Sequence, residues 1–215
     1  MNKIFEYDGT LVSVMNKIMY VVSVNLLFIA CSLPIVTTGA SAAAMYAVLL
    51  GAQSGKEKAI IPAFFKSFKD TFVPATVLWL GMMITAGTMW LNYRLTAGFH
   101  GHYEVVRIFC TLVAVLLALL WVYAFPAMAY FTNTLRGYLQ FALAISISYL
   151  PQTALLIVLQ AGPLILILFL AQFSRLFTIL FFLCGFSIGV YLSAPVLNRI
   201  FCRYGQEKNE ENTAC

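Results

Sequence analysis

The stretch Ser32-Leu33-Pro34-Ile35-Val36-Thr37-Thr38-Gly39-Ala40 interrupts a run of 38 residues, 18 to 55, that contains no Asp, Glu, Lys or Arg. A single helix of that length would measure about 57 Å, roughly twice the ~30 Å hydrocarbon core of a bilayer. The run must therefore bend. Pro34 and Gly39 mark where, because proline removes a backbone donor and glycine weakens a helix. The reading is a hairpin: one helix from about 11 to 33, a broken stretch, and a second helix over 36 to 53.

Charge is absent from further long runs on the C-terminal side: 71 to 93, 108 to 135, 137 to 174 and 176 to 198. Each reaches the ~20 residues that a membrane-crossing helix requires. Composition agrees, with 62% of the 215 residues hydrophobic and 10% charged, whereas a soluble domain needs about a quarter charged to solvate its surface. These features predict an all-α, polytopic transmembrane bundle. Five or seven spans would divide the Lys and Arg residues eight to five between the two sides, while six spans put ten on one side and three on the other. The positive-inside rule therefore selects six, at roughly 11 to 33, 36 to 53, 71 to 92, 108 to 131, 150 to 173 and 176 to 198, with both termini cytoplasmic.

Two segments fall outside these spans. Pro62 to Phe72 carries Phe64, Phe65, Phe68 and Phe72 on one helical face and Lys66, Lys69 and Asp70 on another, as a short interfacial amphipathic helix before span 3 would, with Pro62 in its first turn. Residues 133 to 149 lead into span 5 through a kink at Pro151. Residues 1 to 205 thus form one transmembrane domain, and the polar residues 206 to 215 a disordered cytoplasmic tail. Ala30-Cys31 after an apolar run superficially resembles a lipoprotein cleavage site, but Glu6 and Asp8 stand in its supposed basic region and Phe28 precedes the cysteine by three.

Several chemistries lack their residues. Apart from Lys17 near the start of the first, no span contains an Asp, Glu, Lys or Arg of the kind that proton-coupled carriers and voltage sensors use. No phosphate-binding loop or nucleophile elbow is present, so no enzyme is expected. The cysteines 31, 110, 184, 202 and 215 show no metal-ligand spacing, and Cys31, Cys110 and Cys184 read as small hydrophobes in apolar runs. His100-Gly101-His102-Tyr103-Glu104 reads as a polar external loop rather than a metal site. No cofactor is expected, and the basic residues at run ends read as topology signals rather than a nucleic-acid surface.

Two local features could support function. A helix starting inside the membrane at Thr37, Thr38 and Gly39, just after Pro34, would aim unpaired N–H groups at a polar ligand, with Asn25, Ser32 and Tyr46 able to face the same place. A tight extracellular turn with threonine caps is the plainer alternative. Next to it Gly39, Ala43, Ala47 and Gly51 recur every four residues and flatten one face of the helix, so that a neighbour, in this chain or in a partner, can approach backbone to backbone. Trp79, Trp90, Tyr93, Trp121, Tyr123 and Tyr130 read as interface belts near span ends.

Asn25-Leu26-Leu27-Phe28, the Ser32 to Ala40 stretch, Ala43 to Tyr46, Phe64-Phe65-Lys66-Ser67-Phe68, Tyr123-Ala124-Phe125-Pro126 with Thr134-Leu135, Ala142, and Asn198-Arg199-Ile200-Phe201 together resemble the YesL-like family of small bacterial membrane proteins. That resemblance implies a domain of unknown function, often encoded near carbohydrate uptake or degradation systems, with no established catalytic or binding residue. It suggests an accessory or regulatory partner of a carbohydrate uptake system in the cytoplasmic membrane, meeting a transporter subunit or a second copy of itself. The alternative expectation is a protein that binds or translocates a small solute itself, comparable to the substrate-binding subunit of an energy-coupling transporter.

Overall fold

The computed structural model describes residues 10–53, 59–96, 103–131, 134–170 and 175–213. Among these are seven α-helices: α1 (Thr10–Ser32), α2 (Thr38–Gln53), α3 (Ile60–Thr96), α4 (Tyr103–Tyr130), α5 (Leu135–Ser148), α6 (Leu150–Leu170) and α7 (Arg175–Thr213). Five segments are long and apolar enough to cross a membrane alone: Val14–Ser32, Ile35–Gln53, Ile60–Leu95, Val105–Tyr130 and Gly185–Tyr204. Helix α5 and the start of α6, bent by 107° at Tyr149, make a sixth if counted as one span. Many long apolar helices in one small chain make this a membrane-embedded protein.

Helix α2 lies at the centre, packed against α1, α3, α4 and α7. Its composition explains the position. Ala40, Ala42, Ala43 and Ala44 are buried with almost no exposure, and their small side chains let four neighbours crowd one helix. The core continues through Val24 of α1, Phe64 of α3, Tyr123 and Phe125 of α4 and Leu197 and Phe201 of α7.

The broken stretch is present where Pro34 and Gly39 predict it. Helix α1 ends at Ser32, residues 33 and 34 bend, and a single 3-10 turn, Ile35–Thr37, leads directly into α2.

Three expectations need correction. The amphipathic segment 62 to 72 is not a separate interfacial helix: it forms the first turns of α3, which continues without a break through Pro74 to Thr96. No glycine interrupts residues 60 to 80, and Pro74 removes only one ladder bond, the one to the carbonyl of Asp70. Its phenylalanines also divide: Phe64 enters the core, while Phe65 and Phe72 stay exposed. Second, residues 206 to 213, expected to be disordered, continue α7 as helix to Thr213. The Glu, Gln and Lys residues there are good helix formers. Third, Trp79, Trp121 and Tyr123 are not belts at span ends. Trp79 and Trp121 meet at 5.2 Å between ring centroids in the middle of α3 and α4, and Tyr123 is fully buried.

Candidate functional site

The residues of the broken stretch bond mainly to one another. The Thr37 hydroxyl lies 2.6 Å from the carbonyl oxygen of Cys31 and 2.8 Å from that of Pro34, so its one proton serves the orphan acceptors at the end of α1. The Thr37 N–H donates to Pro34 at 2.9 Å, and the Thr38 N–H donates to Ile35. Ser41 donates back to the Thr37 carbonyl at 3.0 Å. From α3, the Trp79 indole N–H donates to the Ile35 carbonyl at 2.7 Å.

Of the other residues proposed alongside them, Asn25 and Tyr46 lie elsewhere. Asn25 is fully buried and its Oδ1 accepts the Ser187 N–H of α7 at 3.1 Å, while the Ser187 hydroxyl donates to Met45 Sδ at 3.4 Å. Tyr46 is buried within the α2 core and Pro34 is exposed. The Ser32 hydroxyl is enclosed without a hydrogen-bond partner. The fold thus gathers Pro34, Thr37, Thr38 and Gly39 at the break and commits Asn25 to the α1–α7 contact. The loop containing His100 and His102 lies outside the described residues, and among the described ones no group of three His, Cys, Asp or Glu could hold a metal.

The small-residue face of α2 divides into two parts with different neighbours. At Gly39 a Cβ would stand 2.6 Å from the Ala75 carbonyl oxygen and 2.7 Å from Trp79 Cβ, so α2 and α3 touch backbone to backbone there. Ala43 is fully buried. Ala47 and Gly51, both half-buried, line a cleft of about 450 Å³ between α1, α2, α3, α4 and the start of α5.

Sequence inspection missed this cleft. Lys66, Ser67 and Asp70 line it from one turn of α3, and Tyr20, Thr71 and Tyr138 add hydroxyl groups. Tyr138 donates to the Phe131 carbonyl at 2.8 Å and Thr71 to the Ser67 carbonyl at 2.8 Å. Lys66 and Asp70 are both exposed, and among the described residues neither forms an ion pair. The available signal was the i, i+4 spacing of Lys66 and Asp70 on a helix already assigned a polar face. A volume near 450 Å³ is in the range of small-molecule sites, which span roughly 300 to 1,000 Å³.

No curated protein and no solved structure matches the chain. Residues 21–93, which cover most of α1, the break, α2 and nearly all of α3, match a family described as "Protein of unknown function, DUF624".

Proposed function

We propose that this is a non-catalytic protein of the cytoplasmic membrane, both termini on the cytoplasmic side, that binds a small polar solute in the cleft and does so as an accessory to an uptake system. Carbohydrate is the solute class implied by the resemblance to the YesL-like family. The observation that carries the binding reading is the cleft itself: an apolar floor of Ala47 and Gly51 under a rim of Lys66, Ser67, Asp70 and Tyr138. Such a site pairs a shaped apolar surface with a few orienting polar groups, as ligand pockets do. The basic residues Lys66 and Lys69 in the first turns of α3, with Lys17 in the first third of α1, Arg136 at the start of α5, and Arg199 and Arg203 just past the charge-free run 176 to 198 of α7, support the assigned orientation.

The test is a thermal-shift screen of the purified protein against neutral mono- and disaccharides and amino acids, with mass spectrometry of molecules and proteins retained in mild detergent. A ligand at a hundred times its Kd stabilises the fold by about 2.7 kcal/mol. That shift should appear in the wild type and vanish in Ala47→Leu, which fills the cleft floor. Retention of the shift in Ala47→Leu removes the cleft as the site. Recovery of neither a solute nor a specific partner removes the function.

A further inference from the structure

We infer that α1 and α2 form a re-entrant hairpin, which enters the membrane from the lysine-rich side, turns among lipid acyl chains at mid-depth, and leaves by the same side without reaching the far face. The inference stands apart from the cleft and its ligand. Its measure is α3, whose charge-free residues 71 to 93 are bounded by Asp70 and Arg94. The 24 steps between those charges span about 36 Å of helix, one bilayer core with its borders.

The break registers on this scale at Trp79, which donates to the Ile35 carbonyl and whose Cβ sits against Gly39. Trp79 is nine residues beyond Asp70, about 14 Å along the helix, and 15 residues short of Arg94, about 22 Å. The turn therefore lies inside the apolar stretch of α3, not at its end. Helix α4 agrees, since Trp121 meets Trp79 and the 13 residues from Ile108 to Leu120, all past Arg107, lie before that level. Among them Ile108, Phe109 and Leu112 are each at least 61% exposed, as is Ile84 on α3. These side chains need hydrocarbon around them. Raising the tip into water would expose that whole arm to water and draw Lys66, Lys69 and Asp70 into the core, where each charge is penalised.

The tip suits an acyl-chain environment. Leu33 is 79% exposed, Ile35 67% and Val36 48%, all apolar. The backbone bonds of Thr37 and Thr38, the Thr37 hydroxyl and the Trp79 indole satisfy the Cys31, Pro34 and Ile35 carbonyls within the protein, as irregular backbone at membrane depth requires, and leave the Ser32 hydroxyl enclosed. The second break stands at a similar level: Tyr123, two residues past Trp121, is joined at 2.8 Å to Thr153 beside the bend at Tyr149.

Single cysteines in a cysteine-free background test the depth. In native membranes Leu33→Cys and Ile35→Cys should remain unlabelled by a membrane-impermeant maleimide from either face, while Gly101→Cys, in the segment joining α3 to α4, labels from one face and Lys56→Cys from the other. Nitroxides at the same two tip positions, in phosphatidylcholine bilayers, should be more accessible to oxygen and less to a water-soluble nickel complex than a nitroxide at Leu95→Cys. Tip labelling from the Gly101 face, or a tip nitroxide shallower than the one at Leu95, overturns the re-entrant hairpin. The nitroxide arm separates depth from mere steric protection, and the two tip sites guard against one misfolded variant.

Discussion

A methyl group added at Gly39 should destabilise the protein, whereas the same addition at Gly81 should not. At Gly39 the new Cβ would meet the Ala75 carbonyl oxygen at 2.6 Å and Trp79 Cβ at 2.7 Å. Backbone and a Cβ cannot swing aside, so α2 and α3 must separate. Overpacking of this kind costs ~1–3 kcal/mol. Separation also stretches the 2.7 Å bond from Trp79 to Ile35, and a typical hydrogen bond contributes ~0.5–1.5 kcal/mol. The better helix propensity of alanine returns about 1 kcal/mol. Gly39→Ala should therefore lose about 1–3 kcal/mol. Gly81, on the same helix as Trp79 but with no atom within 4 Å of its ideal Cβ, should gain up to about 1 kcal/mol as alanine. At ~2–4 °C per kcal/mol for a chain of this size, the two variants should differ in Tm by about 2 to 16 °C. Thermal unfolding in detergent, followed by size-exclusion chromatography of a fluorescent fusion, reads that difference. Equal Tm values, or a more stable Gly39→Ala, would refute the close approach of α2 to α3 and with it the register of the break on α3.

The two caps around α5 offer further measurements. Thr153→Val leaves the fully buried Tyr123 hydroxyl without its 2.8 Å partner, which should cost ~1–3 kcal/mol; Thr153→Ser should restore most of the Tm, and a Thr153→Val protein as stable as the wild type would show that the bond does not hold the 107° bend. Thr134 caps α5 by accepting the Gly137 N–H at 3.3 Å, so Thr134→Ala should lose ~0.5–2 kcal/mol. Hydrogen exchange should then accelerate at the first amides of α5, beside the cleft, and unchanged protection there would exclude the capping role.

The position of the break was legible in the sequence, and its depth was not. Pro34 and Gly39 act locally through a missing donor and a missing side chain, so they announce themselves wherever they stand. Depth is a relation between two helices. Charges report only where the chain meets water, and a hairpin that turns at mid-membrane returns to the same side as one that crosses twice, with an identical distribution of lysines. Trp79 was misread for a related reason: tryptophan is enriched at interfaces, but its N–H also suits a backbone carbonyl at a helix break, here that of Ile35, which also accepts the Thr38 N–H. The period-four glycine and alanine stripe does not say that Gly39 meets α3 while Ala47 and Gly51 line a cleft, because spacing within one helix does not contain its neighbours. The cleft needs residues from five helices, so no single segment displayed it.

The hydroxyl of Thr37, lying across the last carbonyls of α1, bears on how the chain first enters the membrane. A turn that satisfies its own polar groups takes no water in with it and leaves no peptide to deliver to the opposite compartment. In the re-entrant hairpin and orientation proposed above, helices α1 and α2 would insert as one folded pin, tip first, with Lys17 and Lys56 remaining at the side of synthesis. For this pin the insertion machinery need open only toward lipid, not through to the far side.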